Sequence, residues 1–436
     1  MYDRNTLSVG IVHFGVGNFH RAHLQYYNNL LMEHEDQRNW GVFGAMIMPS
    51  DGTLYSALKS TEGTYNLIEC YPSGEKKSHS IRSLTGLCWG EEDPLPIIEQ
   101  IASPGTKIIT LTITEGGYVV NPARPKSVFW YVAQGLRQRM IAGLPITILS
   151  CDNLQHNGKA AAKAFLSYFD EFFPEIASWA RENVSFPNSM VDRITPATKA
   201  GETTDVYCED FIQWVVEDNF IAGRPAWERV GVQFTNDVTP YENMKLSLLN
   251  ASHSLLCYPA YLEGFKKVDS VMADPRYVKL IRDFMDEDVT PFVPVPEGIN
   301  LVDYKEELLS RFSNPAISDQ VSRLCGDGIS KFAVYIVPTM AKMIATGMEA
   351  KRLAFLLASY YKYLKYGKTE TGEIIEIFEP HITDSDKLIL DSESRLGFFE
   401  LSPFASLGLR NHPAFAVQYV YFAEHSVAEG LIALES

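Results

Sequence analysis

Apolar and polar residues alternate along the first half of the chain in short blocks that predict strands followed by helices. The run SVGIVHFGVG is almost wholly apolar and ends in glycines, which is typical of a buried strand. The next segment, FHRAHLQYYNNLLMEH, has helical spacing, and WGVFGAMIM, TKIITLTIT and LPITILSC are further strand-like runs. Strands that alternate with helices predict an α/β domain built on a doubly wound, mainly parallel sheet.

The pattern changes near residue 239, where long helical stretches take over. They include NMKLSLLNASHSLLCYPAYL, DPRYVKLIRDFMDE, FAVYIVPTMAKMIATG and EAKRLAFLLASYYKYLKYG. We therefore expect an α/β domain over residues 1–238 and a mainly α-helical domain over residues 239–436.

A glycine turn, Gly15-x-Gly17, ends the first strand and precedes Asn18 and Phe19 at the start of the predicted helix. Such a turn lets the backbone approach a pyrophosphate, which then lies at the helix N-terminus, so a Rossmann-type dinucleotide site is expected here. His20 stands where the usual fingerprint has its third glycine, so the match is partial. A tight turn without a ligand is the alternative.

Other strand ends also carry polar residues, and ligands of doubly wound sheets bind at the carboxyl ends of strands. Thr114 and Glu115 open the cluster TEGGY, and CDNLQHNG follows a later strand. After the second strand, Asp51 could hold a ribose hydroxyl, which favours NAD over NADP, or could cap a turn. The absence of an arginine after that strand leans to NAD, and NADP stays open.

The apolar stretch KLSLLNASH contains three polar residues that suggest chemistry. On a regular helix His253 lies about 80° and Asn250 about 140° from Lys245, so all three fit one arc. Burial disfavours the charged form of an amine and so favours a lysine that acts as a general base. An amide can stabilise a developing alkoxide, and an imidazole can orient a hydroxyl.

Together these side chains are the parts that metal-free oxidation of an alcohol requires. No ligand cluster for zinc is visible in the sequence. The alternative is structural, because a single lysine often extends to the surface from a helix edge and a single Asn or His is often a satisfied core group.

Composition excludes several classes of function. The chain has 436 residues, 46% of them hydrophobic, and a net charge of −16, which argues against nucleic acid and anionic membranes as partners. No apolar run approaches the length of a membrane span, and the N-terminus lacks the pattern of a signal peptide. The six cysteines are scattered, as in reduced cytoplasmic proteins.

Several motifs resemble one family in content and order. They are GIVHFGVGNFHRAH, TLTITEGGY, SCDNLQHNG, MVDRITP, WVVEDNF, DVTPYENMKLSLLNASHSLL and SRLCGDGISK. The chain thereby resembles the polyol-specific long-chain dehydrogenases, the mannitol dehydrogenase family. The resemblance implies a Rossmann-type domain, a helical C-terminal domain and an active site between them. It also implies a monomer that interconverts a sugar alcohol and a ketose with a nicotinamide cofactor and no metal.

The resemblance also implies residue roles. Lys245 would be the general acid/base, Asn153 and Asn250 the oxyanion hole, and His253 the group that orients the reacting hydroxyl. Asp192 would lie near the nicotinamide and the substrate, and Arg323 and Lys331 would contact the distal hydroxyls of an extended substrate.

Two departures from the family leave alternatives open. Gly116 replaces the lysine of the usual TEKGY, and the chain is short for the family, which suggests a different substrate rim. A hexuronate reductase of the fructuronate or tagaturonate type is the alternative, because Arg323 could bind a carboxylate. A nucleotide-binding protein without catalysis is a third, more remote interpretation.

Overall fold

The computed structural model describes residues 2–121, 125–196 and 204–435. The chain forms two compact units, of which the first ends at Thr239 and the second begins at Pro240. The described strands are β1 Val9–Phe14, β2 Gly41–Met46, β3 Tyr65–Cys70, β4 Lys76–Ile81, β5 Leu84–Trp89, β6 Ile108–Leu111, β7 Ile146–Ser150, β8 Val184–Ser185, β9 Ser189–Asp192, β10 Val206–Glu209, β11 Gln213–Glu217 and β12 Gln233–Thr235.

A parallel sheet of six strands is the centre of the first unit. Its order is β5-β2-β1-β6-β7-β8, and each neighbouring pair is parallel. The predicted doubly wound sheet is therefore confirmed. The order reverses between β1 and β6, and the crevice at such a point is where these folds bind ligands. The glycine turn follows β1 directly.

Two three-stranded sheets, β10-β3-β4 and β12-β11-β9, complete the described strands. Sequence patterning did not predict them. β4 is mostly exposed and rich in lysine and serine, so it lacks the apolar alternation that marks a strand.

The helices of the first unit follow the strands. They are α1 Asn18–Ala22, α2 Leu24–Leu31, α3 Gly52–Ser60, α4 Leu95–Ala102, α5 Val128–Ala142, α6 Asn157–Phe172 and α7 Pro174–Asn183. The prediction of one continuous helix after the glycine turn is wrong. The backbone breaks at His23, which has φ −114° and ψ −83°, so α1 and α2 are separate helices. The His23 Nε2 donates a hydrogen bond to the carbonyl of Gln213 at 2.8 Å, which fixes this bend against β11.

Helices make up most of the described residues of the second unit, as predicted. Its α-helices are α8 Thr239–Lys245, α9 Ala251–Leu262, α10 Val268–Met272, α11 Pro275–Asp283, α12 Leu301–Phe312, α13 Val321–Cys325, α14 Gly328–Tyr335, α15 Val337–Thr346, α16 Lys351–Tyr366, α17 Asp384–Asp391, α18 Pro413–Glu424 and α19 Val427–Leu434. The stretch FAVYIVPTMAKMIATG is two helices, because Pro338 lacks an N–H and stands at the start of α15.

Short helices of other types complete the backbone. Two π-helical segments cover Leu246–Asn250 and Phe284–Val289. The 3-10 helices are Arg4–Thr6, Glu35–Trp40, Pro49–Asp51, Glu115–Tyr118, Trp227–Val230, Arg395–Glu400, Ala405–Leu407 and Leu409–Asn411.

Helix α9 lies at the centre of the second unit's core. All of its residues except His253 are buried. Tyr258 packs against Phe332, Tyr360 and Tyr363, with ring centroids 4.8 to 5.6 Å apart. The core therefore holds the helix rigidly, and His253 is the residue of α9 that is partly exposed.

Candidate active site

The turn after β1 requires glycine at its first position. Gly15 has φ +94°, and a Cβ there would lie 2.0 Å from the carbonyl oxygen of Thr112. Gly17 has φ −90°, and among the described atoms the nearest to an added Cβ is the Gly15 oxygen, at 3.9 Å. The backbone at Gly17 therefore has the open side that close approach of a pyrophosphate needs.

Asn18 and Phe19 start α1 beside this turn and are held by neighbours. The Asn18 Oδ1 accepts a hydrogen bond from Arg21 at 2.8 Å, and the ring of Phe19 stacks on His23 with centroids 5.0 Å apart. Because Arg21 is buried, it fixes the first turn of the helix from below.

The two glycines should respond differently to alanine. Gly15→Ala should destabilise the protein by at least about 2 kcal/mol, because strained left-handed backbone adds to the Thr112 clash. Gly17→Ala should change stability by less than about 0.5 kcal/mol yet weaken NAD binding at least about tenfold. Thermal unfolding and titration calorimetry with NAD measure both effects. A folded Gly17→Ala variant with unchanged NAD affinity would contradict this dinucleotide site.

Two stacked imidazoles support the turn from beneath. The rings of His13 and His20 are 3.5 Å apart and nearly parallel, and both are buried. The His13 Nε2 donates to the carbonyl of Gly15 at 3.1 Å, and its Nδ1 lies 2.8 Å from the Thr110 Oγ1. Burial lowers the pKa of His13 to about 3 and that of His20 well below its usual value. Both rings are therefore neutral, and His20 packs under the turn.

Asp51 stabilises the turn after β2. Its carboxylate accepts the backbone N–H of Met48 at 2.8 Å, within the 3-10 helix Pro49–Asp51. This contact supports the turn interpretation of Asp51. Its role toward a ribose stays a prediction.

Asp152 joins the ends of β6 and β7. Its carboxylate accepts the backbone N–H groups of Ile113 at 3.0 Å and Thr114 at 2.8 Å, and the Tyr118 hydroxyl at 2.7 Å. These bonds hold Thr114 at φ +62°, a conformation that costs free energy for threonine. Burial, followed by the charge of Asp152, raises the pKa of Tyr118 well above its usual value.

The predicted residues of these loops lie around Asp152. Thr114 and Asn153 are exposed. Glu115 begins the 3-10 helix Glu115–Tyr118, and its side chain lies outside the described part of the chain. Asn153 thus follows directly on the residue that organises both strand ends.

The MVDRITP segment places one buried acid beside a buried structural arginine. Asp192, which is 4% exposed, ends β9. Arg193 donates to Glu69 at 2.7 Å, the carbonyl of Ala22 at 2.8 Å and the carbonyl of Glu209 at 3.1 Å. Arg193 thereby ties β9 to α1, β3 and β10 and fixes the position of Asp192.

The helix that carries Lys245, Asn250 and His253 contains a π turn. The N–H of Ala251 bonds the carbonyl of Leu246, five residues earlier. A π turn advances each residue by less than an α turn, so the angle of about 140° predicted for Asn250 is wrong. Asn250 lies nearer to the side of Lys245 than a regular helix allows. Such single π turns are frequent at functional sites.

Lys245 and Asn250 both place polar atoms in buried surroundings. Lys245 is 8% exposed. The Asn250 Oδ1 is buried, and within the described residues it has no hydrogen-bond partner. A buried acceptor without a partner costs free energy, so this amide is placed as if to meet a ligand.

His253 lies among charged groups. Its ring packs on Phe312 with centroids 4.3 Å apart, and it is subject to the charges of Asp319, Arg323, Arg311 and Lys331. Burial lowers the pKa of His253 to about 3. A neutral imidazole can both donate and accept a hydrogen bond, which suits the orientation of a hydroxyl.

Arg323 and Lys331 lie on two consecutive helices, α13 and α14. The Arg323 Nε donates to Asp319 at 2.8 Å, and its Nη2 pairs with the second carboxylate oxygen. The Lys331 Nζ donates to the carbonyl of Leu324 at 3.0 Å, which joins the two helices. The charges of both Arg323 and Lys331 act on His253, and the roles of the three residues toward a substrate stay a prediction.

The described residues contain neither a candidate metal cluster nor a helix suited to cross a membrane. No group of three or more His, Cys, Asp or Glu side chains among them could hold a metal ion. None of the described helices combines the length and apolar character that a membrane crossing requires.

Models of a known family match both units of the chain. The mannitol dehydrogenase Rossmann domain matches residues 9–229, and the mannitol dehydrogenase C-terminal domain matches residues 237–416. The chain belongs to the mannitol dehydrogenase family.

Individual relatives match most of this chain. The polyol:NADP oxidoreductase of Gluconobacter oxydans is 36% identical and covers 92% of this chain and 90% of its own. The mannitol 2-dehydrogenase of Cereibacter sphaeroides is 37% identical, and the match covers 88% of this chain and 86% of the relative's own length.

Solved structures agree with these sequence matches. The Pseudomonas fluorescens mannitol 2-dehydrogenase, in ternary complex with NAD and D-mannitol, is 37% identical with a TM-score of 0.88, covering 99% of this chain and 95% of its own. A D-sorbitol dehydrogenase in substrate-free form is 34% identical with a TM-score of 0.89, over the same shares.

Gly116, where the family resemblance led us to expect lysine, lies in open surroundings. An added Cβ would meet no described atom within 4 Å. The glycine is therefore not required by packing, and a longer side chain fits at this position.

Three residues of this mannitol dehydrogenase family member were not assigned to the site from sequence. Asp152 orders the loops beside Asn153, Arg193 fixes Asp192, and Asp319 pairs with Arg323. Only Asp319 has a local signal, since its spacing of four residues from Arg323 is that of a helical ion pair.

Proposed function

We propose that the protein interconverts a sugar alcohol and the corresponding ketose by hydride transfer with NAD(H), without a metal. The observation that carries the proposal is the π turn that brings the Asn250 amide, whose Oδ1 is buried, toward the side of the buried Lys245. General base and oxyanion donor are the two functions that must meet at one carbon–oxygen bond.

The chain's own residues manage the proton and the developing charge. Lys245 takes the proton of the reacting hydroxyl, and the same amine returns it in ketose reduction. The amides of Asn153 and Asn250 donate hydrogen bonds to the developing alkoxide. When bound, NAD supplies the acceptor of the hydride.

Substrate orientation falls to a second set of side chains. We assign to His253 a hydrogen bond to the reacting hydroxyl, in its neutral form. Asp192 contributes a contact near the nicotinamide, while Arg323 and Lys331 donate to distal hydroxyls of an extended polyol. The half-exposed Arg323 can be reached by a ligand, as this role requires.

The dinucleotide is assigned to the turn after β1. The open backbone at Gly17, with Asn18 and Phe19 beside it, fits a pyrophosphate, and Thr114 and Glu115 are assigned to the same cofactor. We infer NAD rather than NADP, because residues 46–51 contain no cation for a 2′-phosphate and end in Asp51. The solved relative with NAD supports this choice, and the Gluconobacter oxydans relative named for NADP makes it worth testing.

A substrate panel tests the proposal. Purified protein is supplied with mannitol, arabinitol, sorbitol or another polyol, with NAD and with NADP, and the absorbance of the reduced cofactor is followed. We expect turnover of at least one polyol with NAD and a lower kcat/KM with NADP. Cofactor binding without turnover of any polyol or uronate would favour a catalytically silent protein.

A hexuronate reductase is the second candidate within the same superfamily. It would use Arg323 to bind a substrate carboxylate, which prefers a bidentate arginine. The pairing of Arg323 with Asp319 disfavours it, because that edge of the guanidinium is already engaged.

Domain roles, oligomeric state and compartment complete the proposal. We assign dinucleotide binding to residues 1–238 and substrate binding with the catalytic lysine to residues 239–436. The family resemblance supports a monomer. All six cysteines are free and buried, which fits the reducing cytoplasm.

A further inference from the structure

Asp319 engages one whole edge of the Arg323 guanidinium. One carboxylate oxygen accepts from Nε at 2.8 Å and the other pairs with Nη2. Two parallel bonds of this kind form the geometry in which arginine binds carboxylates best. Of the donors of Arg323, Nη1 has no hydrogen-bond partner anywhere in the described residues.

The carboxylate of Asp319 is held firmly in place. It also accepts the backbone N–H of Gln320 at 2.8 Å, and the carbonyl of Asp319 accepts the N–H of Val268 at 3.0 Å. The neighbouring Ser318 carbonyl accepts from the Nζ of Lys267 at 3.0 Å. Asp319 is therefore a fixed partner, and Arg323 must conform to it.

Exposure differs sharply across the pair. The Asp319 side chain is 9% exposed, and the Arg323 side chain is 55% exposed. Burial disfavours the ionised acid, but the hydrogen bond and charge of Arg323 outweigh it and hold the pKa of Asp319 below its usual value. The hydrogen bond to Asp319 likewise raises the pKa of Arg323. The pair stays ionised, and only its arginine side is open to a ligand.

The pair lies beside the predicted substrate residues. Both of its charges act on the imidazole of His253, which is assigned to the reacting hydroxyl. A sugar acid that reached Arg323 would find the Nε–Nη2 edge occupied by Asp319, and at the remaining Nη1 side it would meet the repulsion of that buried negative charge. A hydroxyl group needs neither two parallel hydrogen bonds nor a positive partner. The Nη1 group of Arg323 can therefore donate to it alone.

We propose that Asp319 is a specificity-determining residue that makes the enzyme select uncharged polyols and ketoses against sugar acids, because it occupies the Nε–Nη2 edge of Arg323 and neutralises the charge of the guanidinium. The inference rests on the proposed function, because it assumes that Arg323 contacts the substrate. Lys331 and Arg311 add positive charge near His253, so the overall charge of this region does not repel a sugar acid. The selection therefore comes from the geometry and the local charge at Arg323.

Comparison of fructose with fructuronate, each reduced with NADH, tests this proposal. The wild-type protein should have the higher kcat/KM for fructose. Asp319→Asn keeps the shape and the acceptor for the Gln320 N–H but frees part of the arginine edge. It should shift the ratio of the two kcat/KM values toward fructuronate at least about tenfold. The double variant Asp319→Asn with Arg323→Gln should lose that gain.

Equilibrium binding separates this inference from the proposed function. Calorimetry in the presence of NAD compares mannitol with the gluconate anion in the wild type, so it needs neither turnover nor a folded variant. Tighter binding of gluconate than of mannitol would overturn the role of Asp319, as would an unchanged ratio in a folded Asp319→Asn variant. Absence of turnover with every polyol and uronate would overturn the proposed function, while the binding ratio would still decide the role of Asp319.

Discussion

Replacement of Lys245 by methionine is expected to lower kcat for polyol oxidation by about 10²–10⁴-fold, the range that a positioned general base contributes. Methionine keeps the apolar stem that the buried site accommodates, so the fold should be preserved. The loss should appear in kcat and in kcat/KM alike, because the proton transfer belongs to the transition state. Steady-state kinetics with NAD and the preferred polyol measure it.

The pH dependence identifies the group that is lost. In the wild type, the rate of oxidation should rise with pH as the amine of Lys245 loses its proton, and the rate of reduction should fall. His253 is not the source of this change, since its pKa of about 3 leaves it neutral throughout. The rise should vanish in Lys245→Met. Lys163→Met, at an exposed position of α6, is the matched control and should leave both rate and pH profile unchanged.

Replacement of Asn250 by alanine is expected to lower kcat by about 10²–10³-fold, as removal of one oxyanion donor does. The donor is the Nδ2 N–H of the amide, which the π turn brings toward the side of Lys245. Loss of the side chain should not destabilise the fold, because its Oδ1 accepts no hydrogen bond from the described residues. Steady-state kinetics measure the expected loss of kcat, and thermal unfolding measures the expected unchanged stability.

Ser252→Ala is the matched control for Asn250→Ala. Ser252 lies two residues away in the same helix, is fully buried, and its hydroxyl also has no partner among the described residues. Its removal should change kcat less than twofold, roughly the effect of a group outside the reaction. Equal losses in the two variants would mean that Asn250 acts by packing. Asn153→Ala should resemble Asn250→Ala, and the two losses should not add if both amides serve one oxygen.

The sequence predicted the elements whose pattern is local. The apolar run that ends at Phe14 is β1, and the change of period near residue 239 agrees with the helical second unit. The glycines after β1 are explained by the backbone, since Gly15 adopts φ +94° and Gly17 faces open space. Strong periodicity and glycine turns are read from neighbouring residues alone, so these predictions were reliable.

Features set by long-range contacts were not predictable in this way. The π turn at Leu246–Asn250 has no sequence signature that a helical projection detects, so the angle for Asn250 was wrong. Arg193 gains its role from partners more than 100 residues away, such as Glu69, 124 positions earlier. The break at His23 likewise depends on β11, 190 residues later. Tertiary partners decided the cases of Arg193 and His23.

Asp319 is intermediate between the two groups. Its spacing from Arg323 is visible in the sequence, but a spacing of four residues predicts only an exposed helical ion pair of small energy. The structure adds that the acid is buried and the arginine is not. That difference in burial turns a common surface pair into a candidate determinant of substrate charge.

Chemical rescue tests the central claim, that the amine of Lys245 moves the proton. Lys245→Ala removes the side chain and leaves space for a small primary amine such as methylamine. If Lys245 is the general base, added amines should restore kcat in proportion to their concentration, by at least about tenfold, and more so for the more basic amines. A Lys245→Ala variant that keeps near wild-type turnover across the pH range, without added amine, would contradict the claim.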